Sequence, residues 1–276
     1  MSDRGIGLPA EEAELPEGAA TEQGCDPRLA TTLIRGLSVL RAFRARDSGL
    51  TNGEISRRTG LPKATVSRLS YTLTHLGYLQ HDVQRGSYNP GPGLLTLAHA
   101  YLAQMDIRAI AHPFMERLAE MPGVTVSLAA RDRLNLVTIE AVMADTPINL
   151  RVNIGARAPI AVTALGHAYL AGLKAPVREA VLAEIQADSE AAWPKTEALI
   201  RANLAAIAEQ GYCMALGEWR AQINGVAVPI RSLEGQEVFA MSCGGPAQLL
   251  PKSALAALGQ ELVAARKEIE RATGTQ

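Results

Sequence analysis

Apolar residues recur at helical spacing near the start of the chain and predict three successive helices. The first carries Leu33, Leu37 and Leu40 on one face and is therefore amphipathic. The second covers about 51–59 and the third about 63–76, with only a few residues between them. Two helices joined by so short a turn predict a helix-turn-helix.

The ends of the second and third helices carry capping signals of their own. Thr51 suits an N-cap, and Glu54 three residues later completes a capping box. Gly60 suits the left-handed position at the end of a helix, and Pro62 suits the start of the next one. After the third helix, two short strands around the turn at 82–86 predict a β-hairpin, which makes the segment a winged helix-turn-helix.

The rest of the chain mixes helical and alternating patterns, which predicts an α+β domain. A helix at 94–106 is expected to connect this domain to the first, and a helix at about 107–121 opens it. The turn at 232–235 separates the last two strands. The expected strands are 124–130, 134–140, 148–154, 225–230 and 238–242, and the later helices are 165–173, 176–185, 196–210 and 252–272.

Charge is distributed unevenly over the 276 residues, whose formal net charge is only −1. Residues 28–88 hold ten Lys and Arg against three Asp and Glu, a basic block that suits a phosphate backbone. Residues 1–27 are acidic and show no periodicity, so they predict a disordered arm. This arm is either a solubilising tail or a mobile segment that competes with DNA for the basic block.

Several classes of protein are disfavoured by the composition. Cys25, Cys213 and Cys243 are far apart and form no CxxC pair, so neither a metal site nor a disulfide framework is expected. A reducing compartment, the cytoplasm, is therefore the expected location. The acidic N-terminus is unlike a signal peptide, and no apolar run is long enough for a membrane span. No cofactor is expected.

The third helix has an apolar and a polar side when its residues are placed at about 100° intervals. Small and polar residues on the outer side allow it to approach base edges in the major groove. Arg68 is expected to pair with guanine or hold a phosphate, Lys63 to meet a phosphate, and Arg85 to reach the minor groove or backbone. The inner side is expected to be Val66, Leu69, Leu73 and Leu76, and the residues expected to contact double-stranded DNA are Arg35, Lys63, Ala64, Thr65, Ser67, Arg68, Tyr71 and Arg85.

These residues resemble the isocitrate-lyase-regulator (IclR) family of bacterial transcription factors. Residues 60–69, GLPKATVSRL, and 76–79, LGYL, are similar to that family's recognition helix and its exit. Residues 155–160 and 164–171 are similar to its effector-domain signature. Further matches follow in the family's order at 211–212, 217–218, 225–229 and 242–246.

The resemblance implies a domain organisation and a set of partners. It implies a winged helix-turn-helix at 28–92, a linker helix at 93–106 and a GAF-like effector-binding domain at 107–276. It also implies homodimers, often paired into tetramers, on a palindromic operator, and a small organic effector that is often an acid or an aromatic compound. One residue departs from the family, because His167 stands where its members usually carry Lys.

An effector site is expected around the helix that begins after Thr163, because free N–H groups at a helix start attract a carboxylate. Three side chains near this site each have two possible roles. Trp219 is either an aromatic wall or simple packing, and Arg157 either pairs with an anionic effector or lies at the surface. Glu218 bonds either a ligand hydroxyl or backbone N–H groups. The expected effector-binding residues are Ala164, Leu165, Gly166, Glu218, Trp219, Ala227, Ser242 and Gly244.

Two other functions compete with a ligand-responsive regulator. A small-molecule hydrolase would use Cys213 or Ser242 as its nucleophile and His167 as its base. The sequence contains no GxSxG, HExxH, P-loop or GxGxxG signature, so no enzymatic activity is expected. An architectural DNA-binding protein without a ligand is the second alternative, and the signature at 164–171 argues against it.

Overall fold

The computed structural model describes residues 28–144, 146, 150–232 and 237–274. The described chain divides into two units, with the division between Gln104 and Met105. The predicted acidic arm at 1–27 and most of the predicted turn at 232–235 lie outside the described residues.

The first unit contains a small helical core and a three-stranded antiparallel sheet. The apolar core includes Val39, Leu50, Ile55, Val66 and Leu79, each at most 2% exposed. The sheet has the order β1-β3-β2, so a short strand before the second helix extends the hairpin. The elements are α1 (Thr31–Arg41), β1 (Leu50–Thr51), α2 (Asn52–Thr59), α3 (Lys63–His75), β2 (Leu79–Asp82), β3 (Ser87–Pro90) and α4 (Gly93–Leu102).

The turn between α2 and α3 follows the local signals in the sequence. The capping box is present, with Thr51 Oγ1 accepting from Glu54 N–H and the Glu54 carboxylate accepting from Thr51 N–H. Gly60 ends α2 in the left-handed conformation at φ 70°. Ser56 Oγ donates to Leu61 O at 2.6 Å and ties α2 to the turn. Both capping predictions are therefore confirmed.

Three expectations for the first unit are wrong in detail. Leu76 is 59% exposed, because α3 ends at His75 and Leu76 already turns away from the helix. Leu33 and Leu37 are 62% and 49% exposed, and the residue of α1 that is fully buried is Val39. The helix predicted at 94–106 ends at Leu102, and a new helix begins at Asp106.

The start of α4 is held against the end of α3 by glycines. Gly93 N–H donates to Gly77 O at 3.1 Å, and Gly91 N–H donates to Tyr78 O at 2.8 Å. A Cβ on Gly91 would lie 2.4 Å from Gly77 O, so no side chain fits there. This close approach fixes the start of α4 against the end of α3 within the first unit.

The second unit is built on a six-stranded antiparallel sheet of order β6-β5-β4-β9-β8-β7. Helices α6 and α8 pack on one face, and α5 and α9 pack on the other. Its elements are α5 (Asp106–Leu118), β4 (Thr125–Asp132), β5 (Asn135–Met143), β6 (Arg157–Pro159), α6 (Ala164–Gly172), α7 (Ala175–Asp188), a 3₁₀ turn (Glu190–Ala192), α8 (Trp193–Gln210), β7 (Cys213–Leu216), β8 (Ile223–Arg231), β9 (Val238–Pro246) and α9 (Lys252–Ala272).

The strand predicted at 148–154 does not form within its described part. Leu150 makes a single bridge, and Leu150 O accepts from Thr125 Oγ1 at 2.6 Å. The edge strand is instead β6, a few residues later. The segment has the alternating apolar and polar pattern of a strand, but its apolar residues Leu150 and Val152 line a cavity instead of joining the sheet. No helix within the described residues is both long and apolar enough to cross a membrane.

Candidate DNA interface and effector cavity

The outer side of α3 is exposed along most of its length. Tyr71 is 74% exposed. Thr65 in α3 and Arg35 in α1 are half-buried, so they are less accessible than the other predicted DNA contacts. The predicted contacts that are exposed on α3 are Lys63, Ala64, Ser67, Arg68 and Tyr71.

The acidic residues of the basic block are all engaged in local structure. Asp47 receives two hydrogen bonds from Arg58 at 2.6 and 2.9 Å, and these hold the pKa of its carboxyl below the ordinary value. The pKa of Glu54 is lowered by hydrogen bonds from Thr51. These two carboxylates are therefore paired with Arg58 and Thr51, and no ion pair between either of them and Lys63 or Arg68 is found among the described residues.

The wing ends in a turn that presents Arg85. Asp82 Oδ1 accepts from the N–H groups of Gln84 and Arg85 at 3.0 and 3.1 Å, and Gly86 adopts φ 60°. The Arg85 side chain is 72% exposed, with Asp82 Oδ2 3.8 Å from its Nε. The hairpin tip therefore carries an accessible cation, as the sequence predicts.

A cavity of about 100 Å³ lies in the second unit, between the sheet and the start of α6. Its volume holds several water molecules or one small organic molecule. The lining residues are Thr125, Ser127, Thr138, Leu150, Val152, Ala156, Arg157, Ala158, Thr163, Ala164, Leu165, Ala215, Trp219, Ile223, Asn224, Gly225, Ser242, Cys243 and Gly244.

Small residues on the strands leave room for this cavity. Ser127 pairs with Ser242 across β4 and β9, and Thr125 pairs with Gly244, which in turn pairs with Gly225. Directly paired residues on antiparallel strands point to the same face, so these five lie side by side. The same face is covered further along by α6.

The first turn of α6 faces the cavity with unused backbone donors. Thr163 Oγ1 accepts from Gly166 N–H at 3.0 Å and donates to Pro159 O at 2.7 Å. Ala164 and Leu165 line the cavity, and as the first two residues of a helix their N–H groups lack intrahelical partners. Because the helix dipole is positive at this end, the turn favours an anion.

Three hydroxyl groups also face the cavity without a partner. Those of Ser127, Thr138 and Ser242 make no hydrogen bond to any residue that the structure describes. Ser127 and Thr138 are 6% and 4% exposed, so bulk water does not reach them freely. Ser242 is half-buried, and none of the three oxygens is completely buried, so all three hydroxyls are available to a ligand in the cavity.

Arg157 and Trp219 complete the polar and aromatic parts of the lining. Arg157 Nη1 lies 2.9 Å from Asp132 Oδ2, and its side chain is 23% exposed. The Trp219 ring lies beneath the guanidinium of Arg220, whose Cζ is 4.2 Å from the ring centroid. Both residues line the cavity, and their predicted roles towards a ligand stay predictions.

Three of the predicted effector residues lie outside the cavity wall. Gly166 packs against the loop before α6, where a Cβ would be 2.3 Å from Ile160 O. Ala227 is fully buried in the apolar cluster beneath α6. Glu218 is exposed, and its carboxylate accepts a hydrogen bond from the backbone N–H of Leu216. Ala164, Leu165, Trp219, Ser242 and Gly244 are brought together.

His167 of α6 and Cys213 of β7 are buried, and their polar atoms are hydrogen-bonded within the protein. Because His167 Nε2 lies 2.9 Å from Ala161 O, it carries the proton, and Nδ1 accepts from Asn203 Nδ2 at 2.8 Å. Burial lowers the pKa of His167, so the ring is neutral. Cys213 Sγ donates to Ala164 O at 3.4 Å, and burial raises its pKa to about 12. The described residues contain no group of three potential metal ligands.

Sequence reasoning missed Thr125, Ser127 and Thr138. A signal was available, since Thr125, Ser127 and Ala129 alternate with Val126 and Leu128 along β4. This alternation gives one face of a buried strand hydroxyl groups. These hydroxyls could not be assigned to the site, because nothing in the sequence says which buried face of a strand meets a cavity.

Comparisons with known proteins cover nearly all of the described chain. The model of the IclR helix-turn-helix domain matches residues 32–83, and the model described as bacterial transcriptional regulator IclR C-terminal matches 99–271. A curated relative, the HTH-type transcriptional regulator TsaQ1/TsaQ2 of Comamonas testosteroni, is 31% identical over 82% of this chain and 81% of its own.

Two solved structures support the same fold. An IclR family transcriptional regulator from Brucella abortus is 38% identical, with a TM-score of 0.78, and the match covers 90% of this chain and 94% of that one. An IclR homolog from Microbacterium hydrocarbonoxydans, complexed with 4-hydroxybenzoate, is 26% identical with a TM-score of 0.69. That match covers 89% of this chain and 100% of the other.

Proposed function

The chain belongs to the IclR family of bacterial transcriptional regulators, and on that premise we propose that a small organic acid controls its binding to a palindromic operator. The observation that carries the proposal is the cavity at the start of α6. The protein acts where bacterial DNA lies, in the cytoplasm. A homodimer is the proposed binding unit, because a palindrome matches a two-fold axis.

The chemistry of the cavity favours a carboxylate. Its donors are the N–H groups at the start of α6, the free hydroxyls and the guanidinium of Arg157. Among the described residues that line it, none is acidic. Leu150, Val152 and Ile223 supply an apolar wall for the rest of the ligand. A ring bearing one carboxylate, such as the 4-hydroxybenzoate bound by the relative from Microbacterium hydrocarbonoxydans, is therefore the first probe.

We expect Ser127→Ala and Ser242→Ala each to weaken binding of the acid by about two- to tenfold, the worth of one hydrogen bond. Isothermal titration of the full-length protein with 4-hydroxybenzoate and related benzoates measures the affinities. Ser253→Ala on the exposed side of α9 is the matched control and should bind as the wild type does. Unchanged affinity in both cavity variants would remove these hydroxyls from the proposed site.

The hydrolase alternative finds no support in the geometry. A nucleophilic cysteine must be a thiolate, and burial keeps the Cys213 thiol protonated at neutral pH. Ser242 would need a base, but both ring nitrogens of His167 are already engaged by Ala161 O and Asn203. The cavity also distinguishes the protein from an architectural DNA-binding protein, which needs no small-molecule site.

The proposed dimer rests on apolar surface in the first unit. Helix α4 is rich in apolar residues but contains no buried one, and its Leu95 and Leu97 are 73% and 56% exposed. On α1, Leu33 and Leu37 are exposed as well. Several exposed leucines within one unit are typical of a protein interface. Because a palindromic operator has two-fold symmetry, the proposed partner at this interface is a second copy of the chain.

We expect Leu37→Glu combined with Leu95→Glu to raise the dimer dissociation constant at least about tenfold, because each change buries a charge at the interface. Sedimentation velocity across a concentration series measures it. Val177→Glu, an exposed apolar position on α7, is the control and should leave the dimer intact. A dimer of unchanged strength would show that these helices do not form the interface. The same sedimentation profiles decide whether dimers pair into tetramers.

A further inference from the structure

The second unit contains another cavity, which shares no lining residue with the first. It measures about 510 Å³ and lies among α6, α7, α8, β8 and α9. Three arginines from three different elements converge on it: Arg178 of α7, Arg231 at the end of β8 and Arg266 of α9. Like charges gathered in one concave site repel one another, so an anion bound there would reduce the repulsion that Glu270 leaves unbalanced.

Two of these guanidinium groups are incompletely satisfied. The Nε atoms of Arg178 and Arg266 are buried and have no hydrogen-bond partner among the residues that the structure describes. A charged donor that loses water without gaining a partner is costly, and native proteins rarely retain one. Both side chains line the cavity, so an anion held there would lower the free-energy cost of keeping these two incompletely paired charges in place.

The charged side chains among the described lining residues leave an excess of two positive charges. Glu270 is the acidic residue among the lining residues, against three arginines. Its Oε1 accepts from Arg231 N–H at 3.1 Å, and its Oε2 lies 3.7 Å from Arg266 Nε, too far for a hydrogen bond. Arg231 Nε donates to Gly172 O at 3.1 Å, which fixes its side chain beside the cavity.

One wall of the cavity is apolar. Leu204 and Ile207 of α8 are half-buried there and belong to the same apolar packing as the core of the unit. An occupant with a carbon skeleton would cover these side chains while its anionic groups meet the arginines. Planar guanidinium groups pair two oxygens at a time, which suits phosphate and carboxylate alike.

We propose that this arginine cavity, defined by Arg178, Arg231 and Arg266, binds a small organic dianion, either a phosphate monoester or a dicarboxylate. The site is separate from the effector cavity. It would give the regulator a second small-molecule input, carried by the opposite end of α6, since Ala171 lines this cavity and Ala164 lines the other.

The test is isothermal titration of the full-length protein in phosphate-free buffer, with phenyl phosphate, phthalate and inorganic phosphate as probes at constant ionic strength. We expect phenyl phosphate or phthalate to bind saturably, and the better of the two identifies the class of dianion. Arg178→Gln and Arg266→Gln should each weaken that binding at least about tenfold, because each removes a charge-assisted pair. Inorganic phosphate, which lacks a carbon skeleton, should bind more weakly.

Two control variants make the result specific. Arg201→Gln removes the same charge from an exposed position on α8, and Ala164→Trp fills the other cavity, so both should bind the dianion as the wild type does. The Arg178 side chain has no hydrogen bond or ion pair among the described residues, so the variant should melt close to the wild-type temperature without ligand. Absence of saturable binding by every probe, or equal binding by the wild type, Arg178→Gln and Arg266→Gln, would overturn the proposal.

Discussion

Ala164→Trp is expected to abolish binding of the organic acid, with a loss of at least about 100-fold, while the protein still binds its operator. Ala164 is 4% exposed at the cavity wall, and its N–H belongs to the helix start that faces the ligand. An indole at this position would occupy most of a cavity of about 100 Å³. A 100-fold loss corresponds to about 2.7 kcal/mol, less than a well-fitted ring and carboxylate together provide.

The measurement is isothermal titration with the benzoate that binds the wild type best. Ala175→Trp, at the exposed first residue of α7, introduces the same side chain at another helix start and should bind normally. Ser242→Leu fills the cavity from the strand side and gives an independent block if Ala164→Trp folds poorly. Wild-type affinity in a folded Ala164→Trp or Ser242→Leu variant would exclude this cavity as the effector site.

Arg68→Ala is expected to weaken operator binding by about 1–3 kcal/mol, or roughly 5- to 150-fold, if the guanidinium pairs with a base. Arg68 lies on the exposed side of α3, one turn from its N-terminus, where a recognition helix reaches base edges. Binding to unrelated DNA should fall much less. Lys63→Ala should instead weaken binding to both kinds of DNA and lower the salt dependence by about one ion, because we expect Lys63 to contact a phosphate.

Fluorescence anisotropy with DNA from the protein's own promoter and with a scrambled duplex separates these roles. Arg271→Ala, an exposed arginine near the end of α9, controls for the loss of a positive charge and should change neither affinity. If Arg68→Ala lowers both affinities equally, Arg68 holds a phosphate and does not read a base. Unchanged affinity for the operator would place α3 outside the interface.

Local features of the fold are predictable from this sequence, because their causes lie within a few residues. The capping box of Thr51 and Glu54 and the left-handed Gly60 depend on side chains and backbone angles at those positions alone. The exposure of Leu33 and Leu37 is different. Helical spacing identifies an apolar face, but it does not say whether that face meets the protein's own core or another surface.

The cavity is only partly predictable for a related reason. Ala164, Leu165 and Ser242 were found because they belong to a recognisable signature, whereas Ser127 and Thr138 reach the site through strand pairing across distant parts of the chain. The strand predicted at 148–154 is wrong within its described part, since an alternating segment whose apolar residues Leu150 and Val152 line a cavity has the pattern of one that joins a sheet. In both cases the outcome depends on strand pairing between residues that are far apart in the sequence.

The most direct test of the account measures operator affinity with and without the organic acid in two proteins. Anisotropy titrations of promoter DNA use the full-length wild type and Ala164→Trp, each with and without a saturating benzoate chosen for binding to the wild type. Only a difference in the acid's affinity for the two DNA-binding states can shift operator binding. We predict at least about a fivefold shift in the wild type and none in Ala164→Trp. Equal shifts in both proteins, or no shift in the wild type with any benzoate, would contradict control of DNA binding through this cavity.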